Sequence, residues 1–316
     1  MIVFALAAGL LAVGAAAAVH AANSHVEAHG KVRAAKPGAG FFRSRCDYSH
    51  TAADDPIVMP GMEGKSMVHD FFGNASTNAS STASELRVSP KTTCVAPADT
   101  SAYWVPSLYQ NGVRVTPKLA LIYYRRSGRP HTQIATIPQG LQMIAGNAVA
   151  TKPQSTSVAY WNCGANAGVD NSALPPASCP SGTQLVLTLV CPDCWDGHTL
   201  TGAGQHNVVY AVRSTCPAAY PVAIPQLNVH IHYPISSGAG LTLSMSPTMN
   251  TMPGSIDTTH ADFVNAWEPT VLSKLVARCD AGAKKCGTVG KTNMPLGITA
   301  KELAKEQARR AKRAMR

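Results

Sequence analysis

The residues that decide the fold are Gln184–Val190, QLVLTLV, and the eight that follow them, Cys191–His198, CPDCWDGH. The first segment is apolar and contains β-branched residues, and it is bounded by Gly182 and Pro192. A short apolar run of this composition between two structure breakers predicts a buried β-strand. The polar residues after it then lie on a loop that leaves a sheet, where binding and catalytic side chains concentrate.

Other strands are predicted on both sides of this segment. Lys118–Arg125, KLALIYYR, has the composition of a strand, and Gln226–Tyr233, QLNVHIHY, alternates strictly between polar and apolar residues. Such alternation indicates one buried face and one solvent face, which also places His230 and His232 on a solvated surface. Many short strands with frequent Gly and Pro turns predict a mainly β fold. Within this class we expect an antiparallel β-sandwich, of which the jelly roll is one type.

Two segments have a helical pattern. Asp262–Cys279 has apolar residues close to i, i+3, i+4 spacing, which predicts one short helix packed on the sheet. Asp262 would begin this helix, where an aspartate caps the first turn or complements the dipole. Thr299–Met315 is helical by propensity, with Thr299 as cap and Glu302 three residues later, and it predicts a basic C-terminal helix.

The amino terminus has the pattern of an export signal. Residues 2–18 are almost all apolar, and Val19-His20-Ala21 offers small residues at the two cleavage positions. This pattern predicts a signal peptide over residues 1–21, with an uncleaved membrane anchor as the alternative. The short polar segment 22–38 predicts a flexible linker. We therefore expect a secreted or cell-surface protein.

Nine cysteines in an exported chain predict disulfides, and the odd number leaves at least one cysteine unpaired. Cys191 and Cys194 form a C-x-x-C pair, but without a second such pair and in an oxidising compartment they are not expected to bind zinc. Connectivity cannot be read from sequence, and our hypothesis for three of the bonds is Cys163–Cys179, Cys194–Cys216 and Cys279–Cys286.

The formal net charge of +10 is unevenly distributed. Residues 301–316 contain seven Lys or Arg and two Glu, so half of the net charge lies in this short tail. The basic character is thus a property of an appendage, residues 288–316. It predicts contact with an anionic envelope surface, and it argues against a core that binds nucleic acid.

A series of short motifs in fixed order resembles the DUF1996 family, a group of secreted fungal and bacterial proteins of unknown function. The resemblance covers about residues 41–280 and gives a domain over 39–287. The motifs are Asp55–Gly61 (DPIVMPG), Ser66–Gly73 (SMVHDFFG), Tyr103–Tyr109 (YWVPSLY), Pro138–Gly146 (PQGLQMIAG), Cys194–Gly197 (CWDG), Pro221–Leu227 (PVAIPQL) and His260–Trp267 (HADFVNAW).

The resemblance implies a secreted or cell-surface domain, often joined in other chains to carbohydrate-binding modules. By analogy it suggests work on polysaccharide or cell wall. Met67 stands where the family pattern has a histidine two residues before His69. This departure weakens the case for a two-histidine site within that one motif.

The polar side chains of these motifs predict a shared site. Asp196, His260, Asp262, His69 and His206 are the candidate catalytic residues, and they must converge in one cleft if the hypothesis holds. Three residues are candidates for substrate binding: Tyr103, Trp104 and Asp70.

Three chemistries fit this set of residues. Asp196 with Asp262 or Asp70 could form the carboxylate pair of a glycoside hydrolase. Alternatively, the three histidines could bind a divalent metal ion, with a carboxylate as fourth ligand. The polar groups could also hydrogen-bond sugar hydroxyls while aromatic rings stack on sugar faces. In the competing structural interpretation, each polar residue fixes its own loop.

We therefore expect an exported β-sandwich that binds or hydrolyses extracellular or cell-wall polysaccharide. The alternatives are a metal-binding exported protein with a His/Asp site and a non-catalytic envelope interaction domain.

Overall fold

The computed structural model describes residues 40–89, 91–127, 134–164, 171–246 and 253–295. All of them belong to one compact unit, residues 34–316. The predicted signal peptide, the linker and the C-terminal helix lie outside the described residues. Within the described ranges, no helix has the length and apolar character needed to cross a bilayer.

Seventeen strands and two α-helices form within the described part of the chain. The strands are β1 Phe41–Ala52, β2 His69–Gly73, β3 Ala102–Pro106, β4 Leu108–Gln110, β5 Val113–Val115, β6 Leu119–Arg125, β7 Gln142–Gly146, β8 Ala159–Asn162, β9 Val186–Val190, β10 Cys194–Trp195, β11 Val208–Val209, β12 Val222–Ala223, β13 Gln226–His232, β14 Leu241–Ser244, β15 Pro253–Gly254, β16 His260–Val264 and β17 Lys285–Thr288. The helices are α1 Ala83–Val88 and α2 Pro269–Leu275, and a π-helical turn Val276–Asp280 follows α2.

The main sheet has the order β7-β16-β3-β2-β1-β6-β13-β9-β8. Its neighbours on this path are antiparallel, and β17 joins β1 in parallel. The long strand β1 pairs with β6 through residues 41–47 and with β2 through residues 48–52. It therefore divides the sheet into a first half, from β1 to β8, and a second half, from β2 to β7. The prediction of a mainly β, antiparallel fold is confirmed.

Both halves of the sheet contribute to the larger apolar core. Tyr124 and Leu187 from the first half and Phe72 and Phe263 from the second half belong to one buried cluster, together with Trp267. Since strand side chains alternate, the other face of each half carries a different set of residues. On the second half that face holds a smaller apolar cluster, made of Ile57, Phe71, Leu86, Ala102, Trp104, Ile144, Val264 and Ala266.

Four disulfides lie within the described residues. The three hypothesised pairs are confirmed, and the fourth joins Cys46 to Cys94. Cys191 is free and buried. The four bonds fit an exported chain, because disulfides persist in oxidising compartments.

The predicted helix over Asp262–Cys279 is wrong in its first part. Residues 260–264 form β16, which pairs with β3 on one side and with β7 on the other. The helix begins only at Pro269, where Glu268 caps it by accepting hydrogen bonds from two backbone N–H groups. Asp262 is therefore a mid-strand residue and caps no helix. Two partner strands distant in sequence override the local helical pattern.

Candidate metal centre

Three titratable side chains from β2 and β16 meet on the face of the second half that carries the smaller apolar cluster. They are His69, His260 and Asp262. Strand β3 lies between β2 and β16, with Trp104 paired to both Phe71 and Asp262. Because directly paired residues share a face, Asp262 projects to the same side as Phe71, and His69, two residues before Phe71, does as well.

One ligand atom from each of the three residues lies within 4.8 Å of the other two. Nε2 of His260 is 3.8 Å from Oδ2 of Asp262. The rings of His69 and His260 are 5.8 Å apart between centroids and nearly perpendicular, at 85°. Separations of up to 4.8 Å between the ligand atoms suit three atoms that surround one small ion. The 3.8 Å between Nε2 of His260 and Oδ2 of Asp262 exceeds a hydrogen-bond length.

The hydrogen bonds of the two imidazoles fix their tautomers. Nδ1 of His69 donates to the carbonyl oxygen of Asp54 at 3.0 Å, and Nδ1 of His260 donates to that of Thr258 at 2.8 Å. A carbonyl oxygen only accepts, so each Nδ1 carries the proton and each Nε2 carries a lone pair. Histidines that bind metal are held in this way, with the second nitrogen donating to a backbone carbonyl.

The atoms that face one another at the centre are all acceptors. Nε2 of His69 and both carboxylate oxygens of Asp262 are buried and have no hydrogen-bond partner among the described residues. A buried polar group without a partner costs about 1–3 kcal/mol. The arrangement therefore needs a proton or a cation between the lone pairs.

The centre is closed to solvent. The exposed fraction is 0% for His69, 3% for His260 and 2% for Asp262. Burial lowers the pKa of each histidine to about 4, and for His260 the charge of His69 adds to this shift. Burial, followed by the charge of Asp55, raises the pKa of Asp262 well above its usual value. Both imidazoles are thus neutral at neutral pH, which is the form that binds metal.

A loop over residues 53–58 builds one wall of the centre. Oδ1 of Asp55 accepts the N–H groups of Ile57 at 2.8 Å and Val58 at 2.9 Å, which closes a tight turn. Oδ1 of Asp54 accepts the N–H of Gly64 at 2.8 Å. These bonds hold the Asp54 carbonyl against His69, and they bring the Asp55 carboxylate near His260.

The start of β16 depends on a glycine. His260 pairs with Gly146 at the end of β7, where φ is +85°. A Cβ on Gly146 would lie 2.4 Å from the carbonyl oxygen of Thr259. Only glycine allows this close approach, so Gly146 helps to fix the backbone from which His260 projects.

The structure does not bring Asp196 and His206 into this centre. The carboxylate of Asp196 accepts the N–H groups of His198 and Thr199, both at 2.9 Å, and so closes its own loop. His206 is exposed, and its carbonyl oxygen accepts from the hydroxyl of Tyr220 at 3.0 Å.

The three residues considered for substrate binding are buried. Asp70 and Trp104 are 0% exposed and Tyr103 is 1% exposed. The hydroxyl of Tyr103 hydrogen-bonds Asp99 and Tyr124 within the larger core. The Trp104 indole belongs to the apolar wall of the centre.

Asp54, Asp55 and Thr258 are not among the site residues predicted from the sequence. Asp54 and Thr258 act through backbone carbonyls, which leave no mark in a sequence. Asp55 opens the first motif, DPIVMPG, and an aspartate before a proline is a turn signal. That signal could have indicated the turn, but not its position beside His260.

All three residues of the centre lie within a match to a known protein family. The sequence profile of the Domain of unknown function (DUF1996) matches residues 55–267, which include all three centre residues. The chain belongs to the DUF1996 family. Comparisons with curated proteins and with solved structures gave no match. The activity of this DUF1996 domain must therefore be argued from its site.

Proposed function

We propose that this DUF1996 domain binds one divalent transition-metal ion through His69, His260 and Asp262. The observation that carries the proposal is the convergence of three buried acceptor groups, with no donor between them among the residues that the structure describes. A cation in the centre would satisfy the two imidazole lone pairs and the carboxylate together. The neutral alternative, a proton on Asp262, would satisfy at most one of the two imidazoles.

Zinc fits this donor set best. Two imidazole nitrogens and one carboxylate oxygen are donors of intermediate softness, which suit Zn²⁺ better than Mg²⁺ or Ca²⁺. The closed surroundings favour an ion that holds structure over one that meets a large substrate. The ion would link β2, β16 and the loop over residues 53–58.

The site residues here differ from those of a hydrolase with a carboxylate pair. Asp262 faces two imidazoles, while Asp196 closes a separate loop. We therefore favour the metal-binding alternative over glycoside hydrolysis at this centre. Export and the extracellular location remain part of the proposal, supported by the four disulfides. We also propose that the two halves of the main sheet pack as a sandwich of jelly-roll type, since they share one core.

Metal content of the chelator-treated, tag-free full chain tests the proposal. We expect one equivalent of Zn²⁺ to bind in calorimetric titration, and the protein to retain that equivalent through gel filtration when measured by elemental analysis. The variants His260→Ala and Asp262→Asn should lose it. The matched controls His206→Ala and Asp196→Asn, which change the same residue types elsewhere, should keep it.

Two results would overturn the proposal. One is the absence of a stoichiometric ion in the folded wild-type protein across a panel of Zn²⁺, Cu²⁺, Ni²⁺, Co²⁺ and Mn²⁺. The other is equal loss of metal from the centre variants and from their controls. Circular dichroism and thermal unfolding would show whether each variant is folded.

A further inference from the structure

Residues 54–65 form a compact loop along one side of the metal centre. The two ends of this loop meet, because the N–H of Ser66 donates to the carbonyl oxygen of Ala53 at 3.0 Å. A compact surface loop whose ends are joined is an Ω-loop, a type that frequently carries function. We call residues 54–65 the lid loop.

The lid loop is shaped by hydrogen bonds within itself. The N–H of Met59 donates to the carbonyl oxygen of Asp55 at 3.0 Å, and the N–H of Met62 donates to that of Met59 at 3.1 Å. Oδ1 of Asp54 holds the far end of the loop by accepting the N–H of Gly64. Internal bonds persist when a loop moves as a whole, so the lid loop can swing about its joined ends without losing its shape.

The lid loop is fastened to the rest of the protein mainly by one side chain. Within the described residues, a single backbone hydrogen bond joins its middle to another segment, from the N–H of Gly61 to the carbonyl oxygen of Ala79 at 2.8 Å. Ile57 is 2% exposed and packs in the smaller apolar cluster, while the next residue, Val58, is 58% exposed. Closure of the loop therefore depends largely on the burial of Ile57.

The other walls of the centre are fastened more firmly. Thr258, whose carbonyl oxygen holds His260, lies in a turn that Gln154 clamps: Nε2 of Gln154 donates to the carbonyl oxygens of Asp257 and Thr259, both at 2.7 Å. Strands β2, β3 and β16 form the sheet behind the centre and are joined by continuous ladders. Among the described walls, the lid loop is thus the one that opens with the fewest contacts broken.

A cleft of about 380 Å³ lies beside the lid loop. Pro56 and Pro60 line it on the loop side, residues 79–83 line it from α1 and the segment before it, and Val264 is also part of its wall. Val264 follows Asp262 by two residues on β16 and so projects from the same face of the sheet. An ion with six waters occupies about 180 Å³, at about 30 Å³ for each water, so the cleft admits a hydrated divalent ion.

We infer that the lid loop gates the metal centre: the divalent ion enters and leaves through this cleft when the loop opens, and closure completes the site. The inference rests on the proposed metal-binding function and adds the control of metal exchange. The closed loop supplies the Asp54 carbonyl oxygen that orients His69. The closed form therefore has the higher affinity for the ion, and by linkage a bound ion favours the closed form.

Release of Zn²⁺ from the loaded full chain into an excess of a dye chelator tests the inference. A chelator does not reach the ion in the closed form, so the release rate of wild type should stay constant as the chelator concentration rises. Ile57→Ala removes the buried anchor and should release the ion at least tenfold faster, and the milder Ile57→Val should release it severalfold faster.

Two control variants separate opening of the lid loop from general loss of stability. Val58→Ala truncates the neighbouring exposed side chain of the same loop and should release Zn²⁺ at the wild-type rate. Val229→Ala leaves a cavity in the larger core, on β13, and lowers the stability of the whole fold. It should also leave the release rate unchanged.

Metal-free protein gives a second readout that does not require the ion. Diethyl pyrocarbonate modifies the neutral imidazoles that it reaches, and His69 is fully buried beside the lid loop. Peptide mapping by mass spectrometry should show faster modification of His69 in Ile57→Ala than in wild type, with no change at the exposed His206. This difference without any Zn²⁺ binding would overturn the metal proposal and keep the loop as the gate to the buried histidine.

Three results would overturn the inference. One is a release rate of wild type that rises in proportion to the chelator concentration. Another is release of Zn²⁺ and modification of His69 at the wild-type rates in folded Ile57→Ala. The third is acceleration by Val58→Ala or Val229→Ala as large as that by Ile57→Ala.

Discussion

Two neighbouring residues of β2, His69 and Asp70, show how differently one protein can treat a buried polar group. Asp70 projects toward the larger core. Its Oδ1 accepts from Oγ1 of Thr51 at 2.7 Å and from Nη1 of Arg114 at 3.0 Å, and Nη2 of Arg114 donates to the hydroxyl of Tyr48 at 3.2 Å. The chain itself supplies the cation for this carboxylate.

On the opposite face of β2, the described residues include no such cation. Asp262, beside His69, is as buried as Asp70, but its neighbours are two imidazole lone pairs. A buried charge is normally paired or coordinates a metal. Asp70 therefore has a structural role, whereas the Asp262 centre is the one that we propose takes its cation from solution.

The largest effect should come from breaking the pair that the chain supplies. Arg114→Ala leaves Asp70 buried without its cation, and we expect a loss of about 3 kcal/mol in the free energy of unfolding. Urea unfolding with and without Zn²⁺ measures it. The loss should be the same in both conditions, because Arg114 does not belong to the metal centre.

Asp262→Asn is the counterpart of Arg114→Ala on the other face. In metal-free protein it removes an uncompensated carboxylate, so the free energy of unfolding should stay level or rise. It should also abolish the added stability from Zn²⁺, which for wild type is about 2.7 kcal/mol at a hundred times the dissociation constant. A destabilisation of Asp262→Asn as large as that of Arg114→Ala would remove the distinction between the two faces.

Asp99 is intermediate between Asp70 and Asp262, because hydroxyl groups and not a cation surround its carboxylate. The hydroxyls of Ser44 and Tyr103 donate to its carboxylate. Burial raises the pKa of Asp99 from 3.8 to about 6, although these hydrogen bonds oppose the shift. The native state therefore binds more protons than the unfolded state between about pH 4 and pH 6.

This difference sets the sign of the pH dependence. The Asp99 contribution to the free energy of unfolding should fall by about 2 kcal/mol as the pH rises through that window, and it should be constant above it. Urea unfolding of wild type and Asp99→Asn at pH 4 and pH 7 measures the difference. Other buried carboxylates are unchanged in the variant, so identical slopes for the two proteins would contradict the assignment.

Much of the fold was predictable because the residue pattern within a single segment is enough to indicate most of its strands. The β-branched run before Cys191 became β9, and the alternating segment from Gln226 became β13. β16 was not predictable in the same way, because its residues also fit a helical pattern. Its pairing with β3 and β7 is settled by segments more than a hundred residues away.

The candidate site was predictable only as a set of residue types. The motifs singled out His69, His260 and Asp262, but they also singled out Asp196 and His206, which lie elsewhere. Strand register decides which side chains share a face, and no motif records it. The carbonyls that fix the two tautomers were equally invisible, since any residue at Asp54 or Thr258 could supply one.

The smallest expected effect concerns Asp55, whose carboxylate acts on the centre through its charge. Asp55→Asn keeps an Oδ1 acceptor for the turn at Ile57 and Val58 but removes a negative charge near His260 and Asp262. Groups just outside the ligands typically change metal affinity by ten- to a hundredfold, so we expect Zn²⁺ to bind about tenfold more weakly, with unchanged stoichiometry. Asp47→Asn is the matched control, because Asp47 is an exposed carboxylate of β1 that pairs with Arg45. Calorimetry on both variants measures the difference: equal weakening would show that the effect does not come from the position of Asp55 beside the centre.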